Sequence, residues 1–222
     1  MLKKLLKKLM KLFYQYYIII LVILVLFFIT IIFSFDNCRT AIIKAPIIKD
    51  IIYKASEYRN EFIHNKIINM LPKPPATIMN LGCGLNTYSD YLTKLNYKVL
   101  SVDINDLSIS KNKVIIYDGK NLSTCNYDIC ILSTVLHHIP KKDHCRIMKM
   151  IGKCCKELIV IEDDNDYFLT PIICMTTNIQ FYNHPLAFRN YNEWLMFFRK
   201  HCNILSSYTN KKHCVFHLEF KC

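Results

Sequence analysis

The chain has 222 residues, is 52% apolar, and sets 29 lysines and arginines against 17 acidic residues for a net charge of +12. A chain this long buries a core without staples, and its 11 cysteines argue against a disulfide scaffold: they are odd in number, lack a C-x-x-C pair and place Cys154 beside Cys155, so most read as buried small apolar residues of a reducing compartment. The basic excess is scattered through an Ile-, Asn- and Lys-rich sequence with no basic and aromatic recognition motif, which argues for solubility and against dedicated nucleic-acid binding.

Residues 1–12 form a basic leader in which Lys3, Lys4, Lys7, Lys8 and Lys11 stand between leucines at helical spacing, suited to an anionic bilayer surface or to extending the helix that follows. From Leu12 to Phe35 no residue is charged, and about 20 helical residues at about 1.5 Å each cross a hydrocarbon core about 30 Å thick. Residues 13–35 are therefore expected to be a single-pass transmembrane anchor. The run exceeds the roughly 7–15 apolar residues of a signal peptide and ends in SFDNCRT, not in the small residues of a cleavage site. Residues 36–75 follow as a helical linker: Ile51, Ile52, Ala55, Tyr58, Phe62, Ile63, Ile67 and Leu71 recur at three and four, and PKPP stops the pattern.

Residues 76–222 are expected to be one domain. TIMNL, YKVLSVD, KVIIY, YDICILS and ELIVIED are short apolar runs separated by segments of helical pattern such as TYSDYLTKL and KDHCRIMKMIGKCC. Strands buried on both faces read as continuous apolar runs, so this alternation predicts a doubly wound α/β fold around a parallel sheet. NYNEWLMFFRKH reads as a helix with Asn190 and Glu193 at capping-box spacing. ILSSYT and HCVFHLEF are then joined by only NKKH, too short for a helical crossover, which predicts a terminal antiparallel hairpin.

Two of the four glycines, Gly82 and Gly84, fall in the turn after the first strand, where a missing Cβ permits positive φ and close approach of a ligand to the backbone. A lone G-x-G also makes ordinary turns. Here Asp103 ends the second strand, where a carboxylate suits ribose hydroxyls, and Asp118 with Gly119 follows the third. Three successive strand ends thus present ligand-suited residues on one edge of the sheet, which points to a nucleoside-like ligand. A nicotinamide dehydrogenase would want a third glycine where Thr87 stands, and no phosphate-binding Gly-x-x-x-x-Gly-Lys loop occurs.

With NLGCG, Asp103, YDGKNLSTCNYDICILSTVLHHIP, ELIVIEDD and the terminal hairpin, residues 76–220 resemble the class I S-adenosylmethionine-dependent methyltransferases, in particular the broad small-molecule group called type 11. The resemblance implies a Rossmann-like sheet with S-adenosyl-L-methionine as cofactor. It implies Gly82 and Gly84 beside the methionine moiety, Asp103 at the ribose, Asp118 and Gly119 at the adenine, and Ser133 near the methyl donor. The sequence departs from the family at Asn80, expected at the cofactor as an uncharged hydrogen-bond acceptor where an acid usually opens the loop, and at Asn86, the third glycine position, where asparagine tolerates a left-handed backbone.

His137 and His138, after the fourth strand, are the candidate bases, since neutral imidazole accepts a proton near pH 7. The IEDDND run invites a metal reading, but the strand-four end is Ser133 and Thr134, not an acid, so no metal is expected and the run reads as a solvated or substrate-facing loop. Tyr182, His184 and Arg189 are candidate substrate contacts, weighed against helix entry with Trp194 packed on the sheet. Lysines flank the anchor on both sides, giving a weak preference for a cytosolic amino terminus; cofactor supply and the cysteines favour a cytosolic domain. The expected function is methyl transfer to a small-molecule or lipid acceptor at a membrane, with a non-catalytic, membrane-tethered scaffold of the same fold as the alternative.

Overall fold

The structure, a computed structural model, describes residues 36–122, 126–164, 186–210 and 212–221. The leader and the predicted anchor lie outside them, and among the described residues no helix is long and apolar enough to cross a membrane. Helix α1 (Asp36–Lys44) leads into α2 (Pro46–Ile67), which a 3-10 turn at Ile68–Met70 finishes ahead of the prolines. Then follow β1 (Thr77–Leu81), α3 (Thr87–Lys94), β2 (Lys98–Asp103), β3 (Val114–Ile116), β4 (Tyr127–Ser133), α4 (His144–Gly152), β5 (Cys155–Asp163), α5 (Tyr191–Arg199), β6 (Cys202–Thr209) and β7 (His213–Phe220).

The seven strands form one sheet in the order β3-β2-β1-β4-β5-β7-β6. The first five run parallel, whereas β7 lies antiparallel to both β5 and β6, as the short NKKH link requires. From β1 the chain first builds outward through β2 and β3 and then returns to place β4 on the other side. That switch point opens a crevice at the carboxyl ends of β1 and β4.

Strand periodicity divides the apolar runs between two cores. Met79, Leu81, Cys130, Leu132, Leu158 and Val160 pack with Ile147, Met148 and Ile151 of α4 and Trp194 and Phe198 of α5. Ile78, Ile129, Ile131, Ile159 and Ile161 face the opposite way, under Ile63 and Ile67 of α2 and Tyr88 and Leu92 of α3. Cys130, Cys154, Cys155, Cys202 and Cys214 are buried thiols that fill space in the first core.

Helix α5 begins with the expected capping box: Glu193 N donates to Asn190 Oδ1 at 3.0 Å and Asn190 N to Glu193 Oε2 at 2.9 Å. Helix α2 differs from expectation in its rotation. Its buried residues are Asn60, Ile63, His64 and Ile67, whereas Ile51, Tyr58 and Phe62, central to the predicted apolar stripe, are 63%, 78% and 44% exposed. Polar clamps on the other faces set this rotation: Tyr53 Oη donates to Asp90 Oδ2 at 3.0 Å, and Tyr208 Oη donates to Lys66 O at 2.8 Å.

Phe198 is fully buried, with ring centroids 5.5 Å from Trp194 and 4.9 Å from Phe216. Phe198→Ala is expected to lower the unfolding free energy by about 3–5 kcal/mol, measured by urea denaturation followed by circular dichroism. An unchanged midpoint would show that α5 does not seal this core.

Candidate active site

The glycine turn sits where the crevice opens. Gly82 (φ +74°) and Gly84 (φ +51°) are both left-handed, and Gly82 N and Cys83 N donate to Val102 O at 2.8 and 3.2 Å, holding the turn against β2. The two glycines serve different ends. A Cβ on Gly82 would stand 2.5 Å from Val135 Cγ2, so Gly82 is demanded by the loop after β4; a Cβ on Gly84 would meet no atom within 4 Å, so that side of its backbone is open to a ligand.

Asp103 joins this turn directly. Its Oδ2 accepts Gly84 N at 2.7 Å, and its Oδ1 accepts Ile104 N at 2.7 Å and Asn105 N at 3.2 Å. An ionised carboxylate has about four acceptor sites, so the group that fixes the turn retains capacity for a hydroxyl. Tyr117 N donates to Asp103 O at 3.0 Å, which sets Asp118 at the neighbouring strand end. Asp118 is exposed and accepts Asn121 N at 2.8 Å, Lys120 N at 2.7 Å and Asn121 Nδ2 at 3.1 Å. The amides of Asn121 and Lys120 hold its carboxyl below the usual aspartate value. Gly119 O accepts Arg146 Nη1 at 2.7 Å, pinning this turn to α4.

Ser133 ends β4 with its Oγ buried and without a hydrogen-bond partner among the described residues. The residues thus fit a nucleoside bearing a polar tail: an open glycine backbone, a carboxylate with spare lone pairs, and an orphaned hydroxyl lie on three adjacent strand ends. Asn86, the third-glycine position, has φ +62° and opens α3 from a fully buried site, donating Nδ2 to Asn112 O at 3.0 Å. Asn80 lies one residue before the end of β1. It is 3% exposed and donates Nδ2 to Ser89 Oγ at 2.9 Å, an oxygen that Ser101 Oγ also reaches at 2.9 Å, so it ties β1 and β2 to α3.

The IEDDND run is not a solvated loop at its start. Glu162 belongs to β5 and is fully buried. Its Oε1 accepts Val135 N at 3.0 Å and Leu136 N at 2.7 Å, and its Oε2 lies 2.5 Å from His137 Nδ1. Burial alone would raise its pKa, yet the His137 charge, its hydrogen bond and the two amides hold the carboxyl below the ordinary glutamate value. Asp163 lies at the strand end, 3.6 Å from His213 Nε2, and burial raises its pKa. Asp164, 5% exposed, accepts Thr209 Oγ1 at 3.2 Å. Among the described residues no cluster of three or more His, Cys, Asp or Glu could hold a metal ion.

The two candidate bases part company. His137 is fully buried, paired with Glu162 and stacked on Phe188 at 4.7 Å, with its carbonyl accepting Ala187 N at 2.8 Å. It positions the loop after β4. His138, half-buried, has its ring 4.1 Å from that of His137. Sequence reasoning missed His144, whose Nε2 lies 2.9 Å from Leu136 O and 2.8 Å from Ile139 O while Nδ1 faces Arg189 Nη1 at 2.7 Å. Donation to two carbonyls from Nε2 and acceptance at Nδ1 describe a neutral ring, and burial lowers its pKa in the same sense. Arg189 packs its guanidinium over Trp194 and Phe197 at 4.6 and 4.9 Å, which favours helix entry over substrate contact. Tyr182 and His184 lie outside the described residues.

Comparison with known proteins places the chain in a family. The profile of the family described as methyltransferase domain matches residues 55–212. A probable S-adenosyl-L-methionine-dependent methyltransferase of Haemophilus influenzae, TehB, is 34% identical over 79 residues, a stretch covering 35% of this chain and 28% of that protein, so the chain matches under a third of that relative's length. Among solved structures, the PH0226 protein of Pyrococcus horikoshii superposes with a TM-score of 0.62 at 13% identity, over 75% of this chain and 92% of that one. The magnesium protoporphyrin IX methyltransferase of Synechocystis, solved with bound SAH, gives 0.55 at 14% over 80% and 88%. A SAM-dependent methyltransferase of Aquifex aeolicus gives 0.58 at 11% over 84% and 100%. At such identities structural likeness establishes the fold, and the family follows from the profile: the chain belongs to the methyltransferase-domain family, the class I methyltransferases that use S-adenosylmethionine.

Proposed function

We propose that the protein transfers a methyl group from S-adenosylmethionine to a small-molecule or lipid acceptor, held at a membrane by residues 13–35 with its catalytic domain in the cytosol. The observation that carries this reading is the bond from Gly84 N to Asp103 Oδ2 at 2.7 Å, which assembles the open backbone and the carboxylate into one rim. Support for the anchor comes from the uncharged run of residues 12–35 alone.

S-adenosylmethionine supplies an electrophilic methyl on a sulfonium, so the chain's task is chiefly binding, alignment and exclusion of water. In this reading Gly82 and Gly84 admit the methionine moiety, Asp103 holds the ribose diol, Asp118 and Gly119 border the adenine, and Ser133 Oγ gains its missing partner near the methyl donor. Asn80 acts from beneath, keeping β1 and α3 in place through Ser89. Glu162 and His137 hold the loop that walls the acceptor side. His138 is, in this reading, the base for an acceptor that carries a proton.

Two outcomes test this. In titration calorimetry on the detergent-solubilised full chain, Asp103→Ala should weaken S-adenosylmethionine binding by roughly 10- to 100-fold, as expected for a hydrogen bond to a charged group; equal heats from both proteins would remove the site. Binding without any labelled product from lipid and small-molecule extracts would favour the scaffold over the enzyme.

The second outcome concerns pH. Glu162 has a depressed native pKa, so its contribution is present above the ordinary glutamate value of about 4.3 and is lost as pH falls through the native value. Glu162→Gln should lower stability at pH 7 by about 3–5 kcal/mol, and the gap to the unsubstituted protein should close in acid. A gap that stays constant down to low pH would show that the ion pair does not hold the wall.

A further inference from the structure

Helix α2 has two apolar faces, and the fold uses one. Opposite its buried face, Ile47, Ile51, Ala55, Tyr58 and Phe62 recur every three or four residues, all exposed, with Ile47 at 77% and Tyr58 at 78%. At about 1.5 Å per residue the stripe runs roughly 22 Å along the surface. Lys54 borders it on one side, together with the acids Asp50 and Glu61, and Arg59 borders it on the other, all four exposed, with the Arg59 charge also acting on Asp163. The helix begins at Pro46, so only residues 36–45 separate it from the uncharged run that ends at Phe35.

We infer that this stripe lies in the headgroup region of an anionic bilayer, with Ile47, Ile51, Tyr58 and Phe62 entering the interface and Lys54 and Arg59 meeting lipid phosphates. The inference rests on the membrane-anchored reading above. An exposed apolar stripe with basic residues among its flanking charges suits a helix that lies in the plane of an interface. A ten-residue connection to a spanning segment confines the helix near the surface, and basic side chains there are drawn to anionic lipid. Tyrosine and phenylalanine suit the interfacial depth. The stripe then has a partner of matching shape and charge, and α2 lies flat between bilayer and sheet.

The test uses the full chain carrying Tyr58→Trp, reconstituted into vesicles of about one part phosphatidylserine to four parts phosphatidylcholine, with brominated acyl chains as contact quenchers. The unsubstituted protein, whose Trp194 is fully buried, sets the background, and Lys153→Trp, after α4 on the opposite side of the sheet, is the control. The expected result is a blue shift and loss of about half or more of the added emission at position 58, with none at 153. That quenching should weaken when phosphatidylserine is omitted or when Lys54→Glu and Arg59→Glu are introduced together. An unquenched position 58 in protein that resists alkaline carbonate extraction would overturn the inference and leave the anchor standing. Quenching at position 58 in protein that carbonate releases would overturn the anchor and leave the stripe's placement standing. Protection of position 58 only in a dimer formed without lipid would assign the stripe to a second copy, and so overturn it too.

Discussion

Glu162 is the constraint on which the site is built. Fully buried at the end region of β5, it takes two backbone amides and one imidazole from the loop after β4, which otherwise would leave three polar groups without water. Holding Val135 N fixes where the Val135 side chain points. That side chain in turn occupies the space a Cβ at residue 82 would need, at 2.5 Å. The glycine at 82 is thus as much a consequence of the buried acid as of the cofactor it resembles a site for. From there the chain of dependence runs to Gly84 and to Asp103, whose carboxylate closes the turn.

The same loop stores strain. Thr134, a β-branched residue, sits at φ +57°, a conformation that costs of order 1–3 kcal/mol and persists where surroundings impose it. The bond from Thr134 N to Ile161 O at 2.7 Å and the amides captured by Glu162 on the following residues are those surroundings. A buried ion pair is weak evidence for stability in itself, because apolar residues of like volume often serve as well. Its placement under a strained loop at the sheet's switch point gives it a different purpose, to keep the loop after β4 in one conformation.

What the sequence disclosed divides along the range of the physics involved. The strand runs, the glycine turn, the left-handed Asn86 and the capping box of Asn190 and Glu193 depend on residues a few positions apart, and each was readable from spacing and local chemistry. The rotation of α2 was not, because Tyr53 and Tyr208 fix it through partners distant in the chain, Asp90 and the Lys66 carbonyl. Nor was Glu162, which sits among Asp163, Asp164 and Asp166 in a run that composition assigns to solvent. Only the pairing of β5 with β4 and β7 turns that one acid inward. Asn80 stands in the cofactor motif, and spacing alone did not show that its Nδ2 also reaches Ser89 Oγ beneath it.

Helix α2 couples whatever lies outside the domain to the rim itself. Its last turn reaches β7 through Lys66 Nζ, 3.0 Å from His213 Nδ1, and His213 stands opposite Asp163 at the end of β5, one residue from Glu162. Lys66 also covers the Phe62 ring at 4.1 Å, so the outward stripe and the rim share a side chain. His213 is held neutral, its pKa pushed down to about 4 by burial and by Lys66, Arg59 and Lys212, so near neutral pH this contact is a hydrogen bond and not a second ion pair. Through Tyr53 the helix is bound to α3, and through Lys66 and Tyr208 to the hairpin, so α2 is held to elements on both sides of β1 and β4.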